Sequence, residues 1–138
     1  MKPRKWIKKK PVKKKTPTWW KKRCEQLAIA IAKERDKYIC QKCGKKVEGT
    51  NAHGSHIYNK GTYASMSADS DNILTKCFYC HMYWWHRNPL EAAEWFKTKF
   101  PDLFQTLRER AKTPRRAMNW EKRYLELQKE YEAITSQI

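Results

Sequence analysis

The sequence predicts an α+β domain, small and rich in helix, preceded by a disordered basic arm. Three observations predict it. Residues 1–17 (MKPRKWIKKKPVKKKTP) are lysine-rich and broken by three prolines, a composition that buries too little apolar surface to fold alone. Apolar stripes at helical spacing recur on both sides of the middle of the chain. Residues 38–87 hold all four glycines, all four histidines and four of the five cysteines, a concentration that marks a site rather than a core. The β component rests on that central segment.

The chain has 138 residues, which suits the arm (1–17) and one domain (18–138). Its formal net charge is +17. A charge that large at this size argues against an ordinary metabolic enzyme and for a polyanionic partner, nucleic acid or an anionic membrane. Residues 1–23 carry twelve basic side chains and no acid; the other 115 residues carry nineteen basic and fourteen acidic ones. Lys8, Lys9, Lys10, Lys13, Lys14 and Lys15 are therefore the candidate nucleic-acid contacts, against the blander reading of a solubilising tail. No stretch of 18 apolar residues exists to span a membrane, and no apolar run follows the basic start as in a secretory signal. The expected compartment is reducing and cytoplasmic.

The first helix is expected over 18–37. Trp20, Cys24, Leu27 and Ile31 fall on one face, Thr18 is the expected N-cap, and Cys24 reads as a core residue. Further on, Asn88-Pro89-Leu90-Glu91 reads as a cap, a first helical position and a reciprocal capping carboxylate, opening a helix to about Phe100. Pro101 and Asp102 start another, with Leu103, Phe104, Leu107 and Ala111 facing inward. Thr113 to Arg116 is a basic turn. Residues 119–135 form the last helix, with Trp120, Tyr124, Leu127, Tyr131 and Ile134 on one stripe. That stripe reads first as core packing; its heptad-like spacing also admits a short coiled-coil contact and a homodimer.

Cys40-Gln-Lys-Cys43-Gly44 and Cys77-Phe-Tyr-Cys80 are two C-x2-C pairs. The spacing lets two thiolates chelate one ion from a tight turn, and Gly44 relieves the turn. Without a secretion signal this means metal rather than disulfides. Four thiolates close a tetrahedron, so the expected ion is a structural Zn²⁺ that clamps the 33 residues between the pairs. Redox dithiols are the alternative, and the sequence offers them no βαβ context.

Between the pairs stand Asn51-Ala-His53-Gly-Ser-His56-Ile57-Tyr58 and Asp69-Ser-Asp71-Asn72-Ile73-Leu74, and His81 directly follows Cys80. His56-Ile57, Asn72-Ile73-Leu74 and Cys77-x2-Cys80-His81 match in type and order the HNH endonuclease superfamily, and the chain resembles its zinc-knuckle members. The resemblance implies a ββα-metal core, with two antiparallel strands and a helix aiming His56 and His81 into one cleft. It implies a metal-dependent DNA endonuclease that hydrolyses phosphodiester bonds to a 5′-phosphate and a 3′-hydroxyl. By the same resemblance His56 is the general base, His81 ligates a catalytic Mg²⁺ or Mn²⁺, and Asn72 pins the loop that orients His56. Histidine suits the base role because it titrates near neutrality.

One position departs from the pattern. Many members carry Asp or His just before the base as the second metal ligand, and here it is Ser55. Asp71, Asn72 and His86 are the candidates, with Asp71 chosen. His86 lies at i+5 from His81, about 140° round an α-helix, a poor partner. His53 points to the other face of a strand from His56. A closer resemblance, to the phage Rap/NinG recombination proteins, rests on Trp19-Trp20, on Lys33-Glu34-Arg35-Asp36 before Cys40, and on Trp120 to Tyr131. It implies branched or single-stranded DNA as substrate. In the run Tyr83-Trp84-Trp85 most rings read as core, with one exposed ring suited to stacking on an unpaired base. Two rival readings stand beside the enzyme: a non-catalytic zinc-knuckle module binding DNA or RNA, and a regulatory protein acting through its last helix.

Overall fold

The computed structural model describes residues 14–113 and 117–136. Among the described residues, four α-helices and a π-helical segment, with three short 3-10 turns, surround a two-stranded sheet. In order the helices and strands are α1 (Pro17–Arg35), β1 (His53–His56), β2 (Ile73–Lys76), a π-helical segment (Tyr79–Trp85), α2 (Pro89–Lys99), α3 (Pro101–Lys112) and α4 (Trp120–Thr135). The architecture is α+β and helix-rich, with a ββα-like centre. Lys8, Lys9, Lys10 and Lys13 lie outside the described residues, as does most of the basic turn after Thr113; Lys14 and Lys15 are exposed. None of the described helices is long and apolar enough to cross a membrane.

α1 starts one residue before the expected boundary. Thr16, not Thr18, is the N-cap: its side chain accepts from the Trp19 N–H at 3.2 Å, and Pro17 takes the first helical position, where its missing N–H costs nothing. The stripes of α1 and α4 pack on each other. Cys24, Ala28, Ile31, Ala32 and Leu127 are buried there with Ile73 of the sheet, and Trp120, Tyr124, Tyr131 and Ile134 close over them. The α4 stripe is thus core, as its first reading had it. Cys24 is fully buried, donates its S–H to the Trp120 carbonyl at 3.1 Å, and burial pushes its thiol up to about 11. It is a core group, not a nucleophile.

β1 and β2 run antiparallel, pairing His53 with Lys76, Gly54 with Thr75, Ser55 with Leu74 and His56 with Ile73. Directly opposed residues share a face. Gly54, Thr75, His56 and Ile73 therefore face α1, where a Cβ on Gly54 would lie 2.6 Å from Ile29 Cγ2. His53, Lys76, Ser55 and Leu74 face the other way, and Leu74 packs there with Met66, Phe96 and Leu107. The end of α1 is latched to β2: Arg35 grips both Asp36 oxygens and donates to the Ser70 and Ile73 carbonyls, and Asp36 accepts from the Thr75 N–H. At α2 the expected capping box does not form. Asn88 makes no side-chain cap bond; its amide turns back to the Trp84 carbonyl at 3.1 Å, which also accepts from the Asn88 backbone N–H at 3.0 Å.

Candidate functional site

The four paired cysteines come together. One sulfur from each of Cys40, Cys43, Cys77 and Cys80 lies within 4.8 Å of every other, and Cys43 Sγ stands 3.9 Å from Cys77 Sγ. Tetrahedral thiolates at the usual Zn–S length of about 2.3 Å are about 3.8 Å apart, so the quartet fits a zinc ion. The turns are built for it. Gly44 adopts φ +78°, and its N–H bonds the Cys40 carbonyl. Burial raises the Cys40 thiol, but N–H donors of Cys43, Cys77 and Lys42 outweigh it and bring the group down to about 7. The Gln41 N–H bonds the Thr75 carbonyl, so the clamp is tied to the sheet.

His56 closes β1 and is half-buried. Its Nε2 lies 2.8 Å from the Ser67 carbonyl. A carbonyl only accepts, so Nε2 carries the proton and Nδ1 the lone pair. Burial is the main cause of a pKa below the usual 6.5, which keeps the ring neutral near pH 7. Asn72 is fully buried. Its Oδ1 accepts from the Tyr58 N–H, and its Nδ2 donates to the Tyr58 and Met66 carbonyls. One carboxamide thus holds both ends of the loop that carries Ser67, and so the acceptor that orients His56.

His81 does not share the sheet face of His56. It packs against His53, with the two Nδ1 atoms 2.9 Å apart, while His81 Nε2 lies 3.0 Å from His86 Nε2. The reason is the π-helical winding of Tyr79–Trp85, in which the His86 N–H bonds the His81 carbonyl five residues back. That winding brings i and i+5 onto one side and reverses the expectation that His86 is a poor partner. The hydrogen bonds have one consistent direction. His53 Nε2 faces the Thr50 carbonyl at 3.0 Å and must donate. Its Nδ1 then accepts from His81 Nδ1, and His81 Nε2 accepts from His86 Nε2. His53 and His86 approach opposite nitrogens of His81, so the three rings form a file. Burial first, then the neighbouring charges of His86, Lys76, His53 and His56, hold His81 down to about 4. The pairs His53–His81 and His81–His86 are the places where imidazole could hold a divalent ion.

Asp71 is not among those donors. Its Oδ2 accepts from Arg110 at 2.9 Å, beside Asp69 at 2.7 Å from the same guanidinium, an ion pair tying α3 to the segment before β2. Ser55 is also engaged. Its hydroxyl accepts from Lys76 Nζ at 2.8 Å, and that ammonium lies 3.7 Å from the centre of the Trp85 ring. Lys76 is fully buried, and desolvation brings it down to about 7. Sequence reasoning missed Lys76. Its signal was the strand alternation that places it on the same side as Leu74. The chain matches no family model, no curated protein and no solved structure.

Proposed function

We propose that the chain is a metal-dependent DNA endonuclease of the HNH type, acting on branched or single-stranded recombination intermediates of a phage. The observation that carries the reading is the tautomer of His56. Its Nε2–H is spent on the Ser67 carbonyl, so its Nδ1 lone pair is held ready as a base, and Asn72 fixes the loop that holds it there. A spectator histidine needs neither. In the proposed reaction His56 Nδ1 removes a proton from water. The water oxygen bonds to phosphorus as the P–O3′ bond breaks, and the departing O3′ takes a proton from solvent water, leaving a 5′-phosphate and a 3′-hydroxyl.

A divalent ion held by His81 with His53 or His86 would supply positive charge to the phosphate and the leaving oxygen. The donors there are imidazoles, with no carboxylate among them, a set better suited to Mn²⁺ than to Mg²⁺. Four thiolates would hold a separate structural Zn²⁺. DNA is the partner that a net charge of +17 suits, and two C-x2-C pairs read as zinc ligands suit a reducing, cytoplasmic compartment.

One observation favours the rival, a non-catalytic zinc module that binds DNA or RNA. His56 and His53 stand on opposite faces of the two-stranded ribbon, and His81 packs against His53, so the proposed base and the metal donors do not share a ribbon face. The deciding experiment is a cleavage assay on duplex, single-stranded, forked and four-way DNA with Mg²⁺, Mn²⁺ or EDTA. The enzyme reading expects cleavage that EDTA abolishes and Mn²⁺ supports best. Tight binding without cleavage under any divalent ion would favour the rival.

A further inference from the structure

The outward side of the π-helical segment carries a row of uncovered rings. Phe78, Tyr79 and Tyr83 are 46%, 67% and 44% exposed. They touch in sequence: Tyr79 stacks on Tyr83 with centroids 5.9 Å apart, Tyr83 meets Phe78 at 5.6 Å, and Phe78 meets His53 at 5.6 Å. Cations flank the row. The Arg87 guanidinium lies 4.5 Å from the Tyr83 ring centre, and Lys42 Nζ lies 4.7 Å from that of Trp84. Lys42 and Lys45 share a cleft with Tyr79 and Trp84.

We infer that this face is a stacking platform for unpaired bases of a nucleic-acid strand, with Tyr79 and Tyr83 taking successive bases and Lys42, Lys45 and Arg87 taking the backbone. The platform rests on the nucleic-acid part of the proposed function and deepens it, because it selects single strands over duplex. Three features choose this occupant over a protein partner. The chain is strongly basic, exposed rings stand beside Arg87 and Lys42 in the combination that single-strand binding uses, and the row runs through Phe78 into the His53–His81–His86 file. A strand lying on the rings is thereby led toward the candidate metal donors.

The test is fluorescence anisotropy of a labelled oligothymidylate and of a duplex of equal length, with zinc-loaded full chain and no other divalent cation. Tyr83→Ala and Tyr79→Ala should each weaken single-strand binding about tenfold or more and leave duplex binding within about twofold. Tyr83→Phe should bind like the wild type, because the ring is kept. Tyr79 lies inside the second cysteine turn, so zinc content is measured for each variant; Tyr83→Ala and Arg87→Ala lie outside that turn and carry the test if Tyr79→Ala loses zinc. Unchanged single-strand affinity in Tyr83→Ala would overturn the platform, even if the wild type cuts DNA. A wild type that binds neither strand nor duplex would overturn both the platform and the nucleic-acid reading. Tyr83-dependent binding without cleavage would support the platform and count against the enzyme alone.

Discussion

His56 and Asn72 act as one unit, since the carboxamide holds the loop and the loop's Ser67 carbonyl fixes the tautomer. Asn72→Ala leaves the Tyr58 N–H and carbonyl without their partner, while the Met66 carbonyl keeps the Asp69 N–H at 3.3 Å; each buried unpaired group costs about 1–3 kcal/mol, and thermal unfolding should reveal a loss of that size or more. The buried His56 should titrate below 6.5, which NMR of its ring proton against pH would measure. The folded chain then binds that proton less tightly than the unfolded chain. Its contribution is neutral above 6.5 and becomes a penalty as pH falls toward the lowered value. Gly54 faces Ile29 with no room for a side chain. Gly54→Ala should therefore destabilise by about 1–3 kcal/mol through forced separation of β1 and α1, read as a lower midpoint in denaturant.

At the scale of elements, the readable parts of the sequence were those whose physics is local. C-x2-C spacing brings two sulfurs to one ion whatever surrounds it, and the apolar stripes of α1, α3 and α4 need only a helical period and a neighbour. The π-helical segment was not readable, because the α-helical period applied to Cys80–His86 puts His81 and His86 on different sides. The winding, and with it the third histidine, depends on how the segment leaves the cysteine turn. Nor was the Asp71–Arg110 pair readable, since it joins residues far apart in sequence. Asn88 had the right neighbours for a cap and still chose Trp84. The consequence for metal binding is specific. Mn²⁺ titrated into zinc-loaded protein should bind a site outside the cysteines. His81→Ala should weaken it more than His53→Ala or His86→Ala, because only His81 contacts both other rings. Mn²⁺ spin-resonance titration would measure the order.

For the whole molecule the cysteine quartet, placed to hold a metal ion, and the proposed basic arm are the two features to test. The clamp joins the turn after α1 to the turn after β2, and structural zinc contributes on the order of 10 kcal/mol to folding. A chelator strong enough to strip the quartet, or Cys40→Ser, should unfold the centre, read by circular dichroism together with zinc content. Deleting residues 1–15 keeps Thr16 as the cap of α1 and should flatten the salt dependence of DNA binding, by about 0.9 in log–log slope per lost phosphate contact on duplex. The central claim is that His56 is the base of a nuclease, and single-turnover cleavage of branched DNA in Mn²⁺ by wild type, His56→Ala and His81→Ala tests it most directly. The account expects His56→Ala to lose about 10²–10⁴ in rate with fold, zinc content and DNA affinity kept, no rescue by added metal, and partial rescue of His81→Ala by raised Mn²⁺. Cleavage by His56→Ala as fast as that by the wild type would contradict it.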